Sequence, residues 1–192
     1  DLTSAFVATH FASAAGAVGW MIAERVHNGK ASALGAISGA VAGLATVTQG
    51  AGFVTPFSGA LIGLIAGFVC FAMVIIVKIK LGYDDSLDAF GVHGVGGVMG
   101  CMLTGVFATN VINNALKLPS GAPAPLGWVD GNPTQVMNQG IGALIGIGFA
   151  LVGTFIALKV TGLLTPLRME QSEETQGMDV SLHGEEGYAF ED

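Results

Sequence analysis

The side chain best placed for chemistry is His93, in "DDSLDAFGVHGVGGVMG", residues 84–100. A run of acids there leads into a glycine-dense apolar segment with one titratable ring in the middle. At helical spacing the face of His93 holds Ala89, Phe90, Gly96, Gly97 and Gly100, an aromatic on one side and bare backbone on the other. An ionisable group inside an apolar span is expensive to keep, and its usual roles are a relay or a solute path. A neutral imidazole donates one hydrogen bond and accepts another, so it can pass a proton or hold a small polar solute. The competing reading is a buried histidine satisfied by a backbone carbonyl, and residue type and spacing leave both open. Just upstream, Ser86 is a candidate N-cap, with Asp85 and Asp88 near the positive end of the helix that follows.

The other candidates are weaker. His10 lies on an apolar segment, His27 stands near Arg25 in a basic loop, and His183 is in the C-terminal stretch. All three read as structural or surface residues. Cys70 and Cys101 fall inside apolar segments without the spacing of a metal or redox site. A single intramembrane histidine lacking Cys, Met or carboxylate partners at ligand spacing provides neither a metal nor a haem site. There is no nucleophile elbow and no phosphate-cradling loop, and "GVHGVGG" follows no β-strand, as a dinucleotide fingerprint would. No enzyme and no cofactor are expected.

What must position His93 is a set of apolar helices. Only 11% of the 192 residues are charged and 52% are hydrophobic, against about 25% charged in a soluble domain. With a mean hydropathy of +0.67, a bilayer is the natural solvent. Five apolar segments, about 3–23, 33–51, 57–77, 87–108 and 135–158 or 164, each approach the ~20 residues that cross a membrane as a helix. Glycine recurs four residues apart in them: Gly35, Gly39 and Gly43; Gly59, Gly63 and Gly67; Gly142 and Gly146. Such stripes let helices approach closely in lipid. Trp20 and Trp128 suit interfacial positions.

Charge orders these helices. Arg25, Lys30, Lys78, Lys80, Lys159 and Arg168 all fall on one set of alternate loops, and Lys117 alone on the other. Positive loops face the cytoplasm, so the N-terminus is expected outside and the C-terminal tail inside. The Pro- and Gly-rich fourth loop should be irregular and extracytoplasmic. The net charge of −7 belongs to residues 165–192, and residues 1–164 balance to zero. The chain therefore divides into a membrane domain, 1–164, and an acidic tail, 165–192, which is either disordered by charge density or ordered around its Gly, His and aromatic residues. Nothing clusters Lys and Arg as a nucleic-acid surface would.

"DDSLDAFGVHGVGGVMGCMLTGVFA" resembles the tenth-helix signature of the ammonium transporter (Amt/Mep/Rh) family, Amt branch. "AFVATHFASAAGAVGW" is similar to its seventh helix, and "GKASALGAISGAVAGLATVTQGAGFVTPFSGALIGLIAG" to helices eight and nine. "GMDVSLHGEEGY" is similar to its cytoplasmic tail motif. The resemblance implies an all-α membrane protein whose five transmembrane helices are the C-terminal part of an eleven-helix inverted-repeat fold. His93 would be the second of two pore histidines, with Val41, Thr48 and Ala89 also lining the path. Ala89 stands where the family often has Val or Ile, and Thr48-Gln49-Gly50 replaces the Thr-Pro-Ala of some members. Asp179, His183, Gly184, Glu185 and Tyr188 would be the regulatory tail positions. Conduction of ammonium or ammonia across the cell membrane, a homotrimer, and a P-II-type signalling partner at the cytoplasmic face are implied in the same way. The partner histidine would lie upstream, so the chain reads as a partial copy lacking the N-terminal half. An ammonium sensor of the same fold and a non-conducting half-protein or scaffold are the alternatives.

Overall fold

A computed structural model of the chain describes residues 2–187. Helix α1 runs Leu2–Asn28, α2 Ala33–Val47, α3 Pro56–Leu81, α4 Phe90–Phe107 and α5 Thr134–Leu164. All five apolar segments are thus helical, and a lone bridge between Lys117 and Pro123 is the only β pairing among the described residues. The starts have local causes. Ser32 caps α2, its hydroxyl accepting from the N–H of Gly35 at 2.9 Å. Glu24 on α1 in turn accepts from the N–H and the hydroxyl of Ser32, at 2.9 and 2.8 Å. Thr55 caps α3 by accepting from the N–H of Ser58 at 3.1 Å, with Pro56 in the first turn.

Four of these helices are long and apolar enough to cross a bilayer; α2 is not. It has 15 residues, roughly 22 Å of helix, whereas the hydropathy pattern extends to residue 51. The helix stops at Val47 because the chain turns back on itself. The N–H of Gly50 donates to the Val47 carbonyl, and the Gly50 carbonyl accepts from Phe53 and Val54.

A first compact unit ends at Leu144. Its core is backbone laid on backbone. A Cβ at Gly59 would come 2.7 Å from the carbonyl oxygen of Ala8, and one at Gly63 would fall onto the carbonyl of Ala12. Ala8 and Ala12 are fully buried. Gly39 and Gly43 of α2 meet Gly16 and Ala12 of the same helix α1 in the same fashion. Both glycine series therefore serve one purpose, bringing α2 and α3 onto α1. The pairings also give direction: α3 runs with α1, and α2 runs against it. Gly96 and Gly100 of α4 meet Thr46 of α2, while Gly105 and Gly140 join α4 to the start of α5. Successive helices alternate in direction, as a chain threading a bilayer requires. The third series behaves differently, since Gly142 and Gly146 have nothing within 4 Å of their added Cβ positions. Trp20 is not an interfacial anchor either. It is 3% exposed and meets Phe71 edge to face at 5.7 Å, because the close α1–α3 contact leaves a slot for its ring.

The loop between α4 and α5 is irregular yet stitched. Asp130 accepts from the Thr109 hydroxyl at 2.7 Å and from the N–H groups of Asn110 and Leu126 at 2.6 and 3.2 Å. Burial alone would raise its carboxyl, but those three donors outweigh it and hold the group below its ordinary value. A carboxyl lowered in the fold contributes stability at pH above its ordinary range, and that stability is lost as pH falls through the folded value. Asp130→Asn should raise proteolytic cleavage of the 110–131 loop by about tenfold, within the range for losing a charged hydrogen bond. Acidification of the unsubstituted protein should loosen the same loop, while a move from pH 7 to 9 should not. Equal cleavage rates in the two proteins at pH 7 would contradict the assignment.

The second unit begins at Ile145 and contains the rest of α5 and the tail. α5 buries none of its residues. Arg168 holds Glu174 through both carboxylate oxygens at 2.9 and 3.1 Å, ahead of and within a short helix α6, Gln171–Gln176. A π-type turn, Asp179–His183, follows and ends at Gly184 with φ 65°. The acidic tail thus carries local structure.

Candidate functional site

α4 begins where the acids stop. The carboxylate of Asp85 accepts from the N–H groups of Ala89 and Phe90, both at 2.9 Å, so the cap is Asp85 and not Ser86. A carboxylate offers two oxygens and takes two of the orphan donors at once, which a single hydroxyl does less well. Asp88 lies one residue before Ala89 with φ 56°, a left-handed conformation that costs a non-glycine residue about 1 kcal/mol. Its carboxylate meets Lys78 of α3 at 2.7 Å, and the Lys78 ammonium also donates to the Asp85 carbonyl.

The first turn and a half of α4, Phe90–Val95, is π-helical, a departure from the α ladder that often marks functional positions. His93 sits inside it, only four residues after Ala89, and so lies nearer the helix start than the middle of a span. The glycines around it explain its orientation. Gly91 packs on Val74 of α3, and Gly96 and Gly100 pack on Thr46 of α2. Val92 is buried in the same contact at 5% exposure. With that side of α4 turned inward, His93 projects from the other side and is exposed. Among the described residues its ring has no hydrogen-bond partner, so a backbone carbonyl does not satisfy it.

His93 and Val41 line one cavity of about 140 Å³, with Ile37, Ser38, Val92 and Asp88. Two of the four expected path residues are therefore brought together, from helices α2 and α4. Ala89, one turn before His93, and Thr48, two turns after Val41, are exposed but lie outside that cavity. The Thr48 hydroxyl donates to the Leu44 carbonyl at 2.6 Å. Neither His10 nor His27 joins the site. His10 stacks on Phe6 at 6.3 Å, and His27 meets Phe71 edge to face at 5.8 Å.

In the tail, Asp179 and His183 open and close the π-type turn. The N–H of Glu185 donates to the Asp179 carbonyl at 3.0 Å, and Gly184 supplies the left-handed residue that ends it. Tyr188 lies outside the described residues. Lys78 and Asp130 were not singled out from the sequence. Each is an unremarkable charge at a helix end or in a loop, and its farthest partner lies 10 residues away for Lys78 and 21 for Asp130.

The profile of the Ammonium Transporter Family matches residues 1–188. An ammonium transporter of Bacillus subtilis (strain 168) is 44% identical over 184 residues, covering 96% of this chain and 44% of the relative. Among solved structures, Saccharomyces cerevisiae Mep2 superposes with a TM-score of 0.75 at 32% identity, covering 88% of this chain and 37% of that one. A structure described as a sensor Amt protein superposes with a TM-score of 0.75 at 24% identity, covering 94% of this chain and 42% of that one, a likeness of fold. The chain spans less than half the length of these proteins. A profile match along nearly all of its residues, joined to apolar helices of alternating direction, makes this chain a member of the ammonium transporter family and a multi-pass membrane protein of all-α fold.

Proposed function

We propose that the protein to which this chain belongs conducts ammonium nitrogen across the cell membrane, with His93 in the path. The observation that carries this reading is an exposed, unpartnered imidazole sharing a small cavity with Val41 on an otherwise apolar helix pair. An ionisable ring is expensive in lipid, so a face that presents one belongs against a solute path or another polar group. The path continues past Ala89 at the inner end and Thr48 at the outer end. A complementary histidine from the upstream half, absent from residues 1–192, would take the free ring nitrogen. Carrying NH4+ through such surroundings incurs a large desolvation penalty that neutral ammonia avoids, and K+ cannot shed a proton to avoid it. The protein acts by transport, without covalent catalysis.

The loop charges support a membrane domain over residues 1–164 and a cytoplasmic tail over 165–192 in a cell-membrane protein. Family resemblance supports a homotrimer whose tail positions Asp179, His183, Gly184, Glu185 and Tyr188 serve regulation, and a P-II-type protein docking on the cytoplasmic face. The test is uptake of labelled methylammonium by the full-length protein in cells lacking their own ammonium transport. Saturable uptake that leaves K+ flux at background is the expected result. Binding of methylammonium without uptake would replace this reading with that of a sensor.

A further inference from the structure

We propose that Lys78, at the end of α3, is a positioning residue for His93, an inference that rests on the transport reading above. Its ammonium makes two contacts across the connection between α3 and α4. One is to the carboxylate of Asp88 at 2.7 Å, the other to the backbone carbonyl of Asp85. Asp85 then passes the constraint on, because its own carboxylate receives the N–H groups of Ala89 and Phe90. One cation therefore holds both residues from which α4 starts. Its side chain is 25% exposed and that of Asp88 31%, so the pair is shielded in part from water.

The turn between the helices has left-handed residues near both ends, Gly82 with φ 65° and Asp88 with φ 56°. Glycine adopts this conformation freely and aspartate at a small cost, and Lys78 holds the carboxylate of Asp88 in place there. The stretch that follows is the π-type turn containing His93, whose backbone departs from the α ladder directly after Asp88 and Ala89. Asp88 also borders the His93 cavity, so release of its carboxylate would both relax the turn and alter the wall beside the ring. The direction of the His93 ring is therefore tied to an ammonium on a different helix.

The experiment compares Lys78→Met, Lys78→Arg and Asp88→Asn in the full-length protein, measuring methylammonium uptake per molecule in the membrane. Lys78→Met preserves the apolar stem and removes the charge. It should lower the maximal rate about tenfold with an unchanged KM, as expected when a reacting group is displaced rather than lost. Lys78→Arg, which restores charge and donors, should recover most of the rate. Asp88→Asn tolerates the left-handed turn but loses the ion pair, and should fall between them. A normal rate per molecule in Lys78→Met overturns the proposal, as does a loss that arginine does not restore. If Lys78→Met fails to accumulate, Asp88→Asn decides: a normal rate overturns the proposal, and a lowered rate at unchanged KM supports it. Absence of uptake by the unsubstituted protein would instead remove the transport reading itself.

Discussion

On the proposed transport reading, His93→Ala in the full-length protein is expected to lower methylammonium uptake by about a hundredfold, the lower end of what a positioned proton-transfer group contributes. The alternative signature of the same role is K+ entering at a rate the unsubstituted protein forbids. Both follow from the surroundings of the ring. The bare side of α4 is pressed against α2 and α3 through Gly91, Gly96 and Gly100, so the helix cannot rotate to offer another side chain in its place. Val41 across the cavity is apolar and supplies no hydrogen bond. Removing the imidazole leaves a wider gap between Ile37, Val41 and Val92, with the Ser38 hydroxyl and the Asp88 carboxylate as its remaining polar groups. Either water enters and the distinction between NH4+ and K+ weakens, or the gap stays dry and the polar solute loses the imidazole that would both donate to it and accept from it. Uptake and K+ exclusion both unchanged would remove His93 from the path. Measuring K+ and methylammonium in the same membranes separates a blocked path from a leaky one.

The second large effect concerns assembly. Gly63→Leu is expected to destabilise the membrane domain by about 3 kcal/mol or more, at the upper end for overpacking, and to reduce the amount of folded protein sharply. A Cβ at this position would fall onto the backbone of Ala12, and backbone cannot swing aside as a side chain tip can. Since α2 and α3 both pack onto the Ala12 and Gly16 backbone of α1, prying α3 away disturbs the whole core. Gly142→Leu is the matched control, with open space around it among the described residues. It should leave the melting temperature of the detergent-solubilised protein nearly unchanged, while Gly63→Leu lowers it or prevents purification. Equal tolerance at both sites would contradict the close α1–α3 packing. Equal intolerance would show that the Gly142 face meets a surface outside these 192 residues.

The positions of five apolar helices, their alternating direction and the neutral body ahead of an acidic tail were legible in the sequence, though α2 proves shorter than a span. These depend on composition averaged over about 20 residues and on the sign of loop charges, both properties of contiguous chain. The glycine stripes were legible too, but not what they pack against. Two of the series turn out to share α1, and the third meets nothing among the described residues. Trp20 shows the same limit. Its place near a segment end suits an interface, and only the neighbouring Phe71 makes it core.

The site divides along the same line. His93 could be singled out from its neighbours, because a titratable ring among glycines is anomalous whatever surrounds it. That it shares a cavity with Val41, and that Asp85 rather than Ser86 begins α4, depends on backbone geometry no spacing rule encodes. The Lys78 ion pair bridges 10 residues through a left-handed turn, and Asp130 gathers Thr109, Asn110 and Leu126 from both ends of a loop. Sequence by itself determined which residues could do chemistry and that a membrane surrounds them. Tertiary structure alone decided which of them face each other, because hydrogen bonds and ion pairs depend on distance in space, and the folding of loops brings together residues that the chain keeps apart.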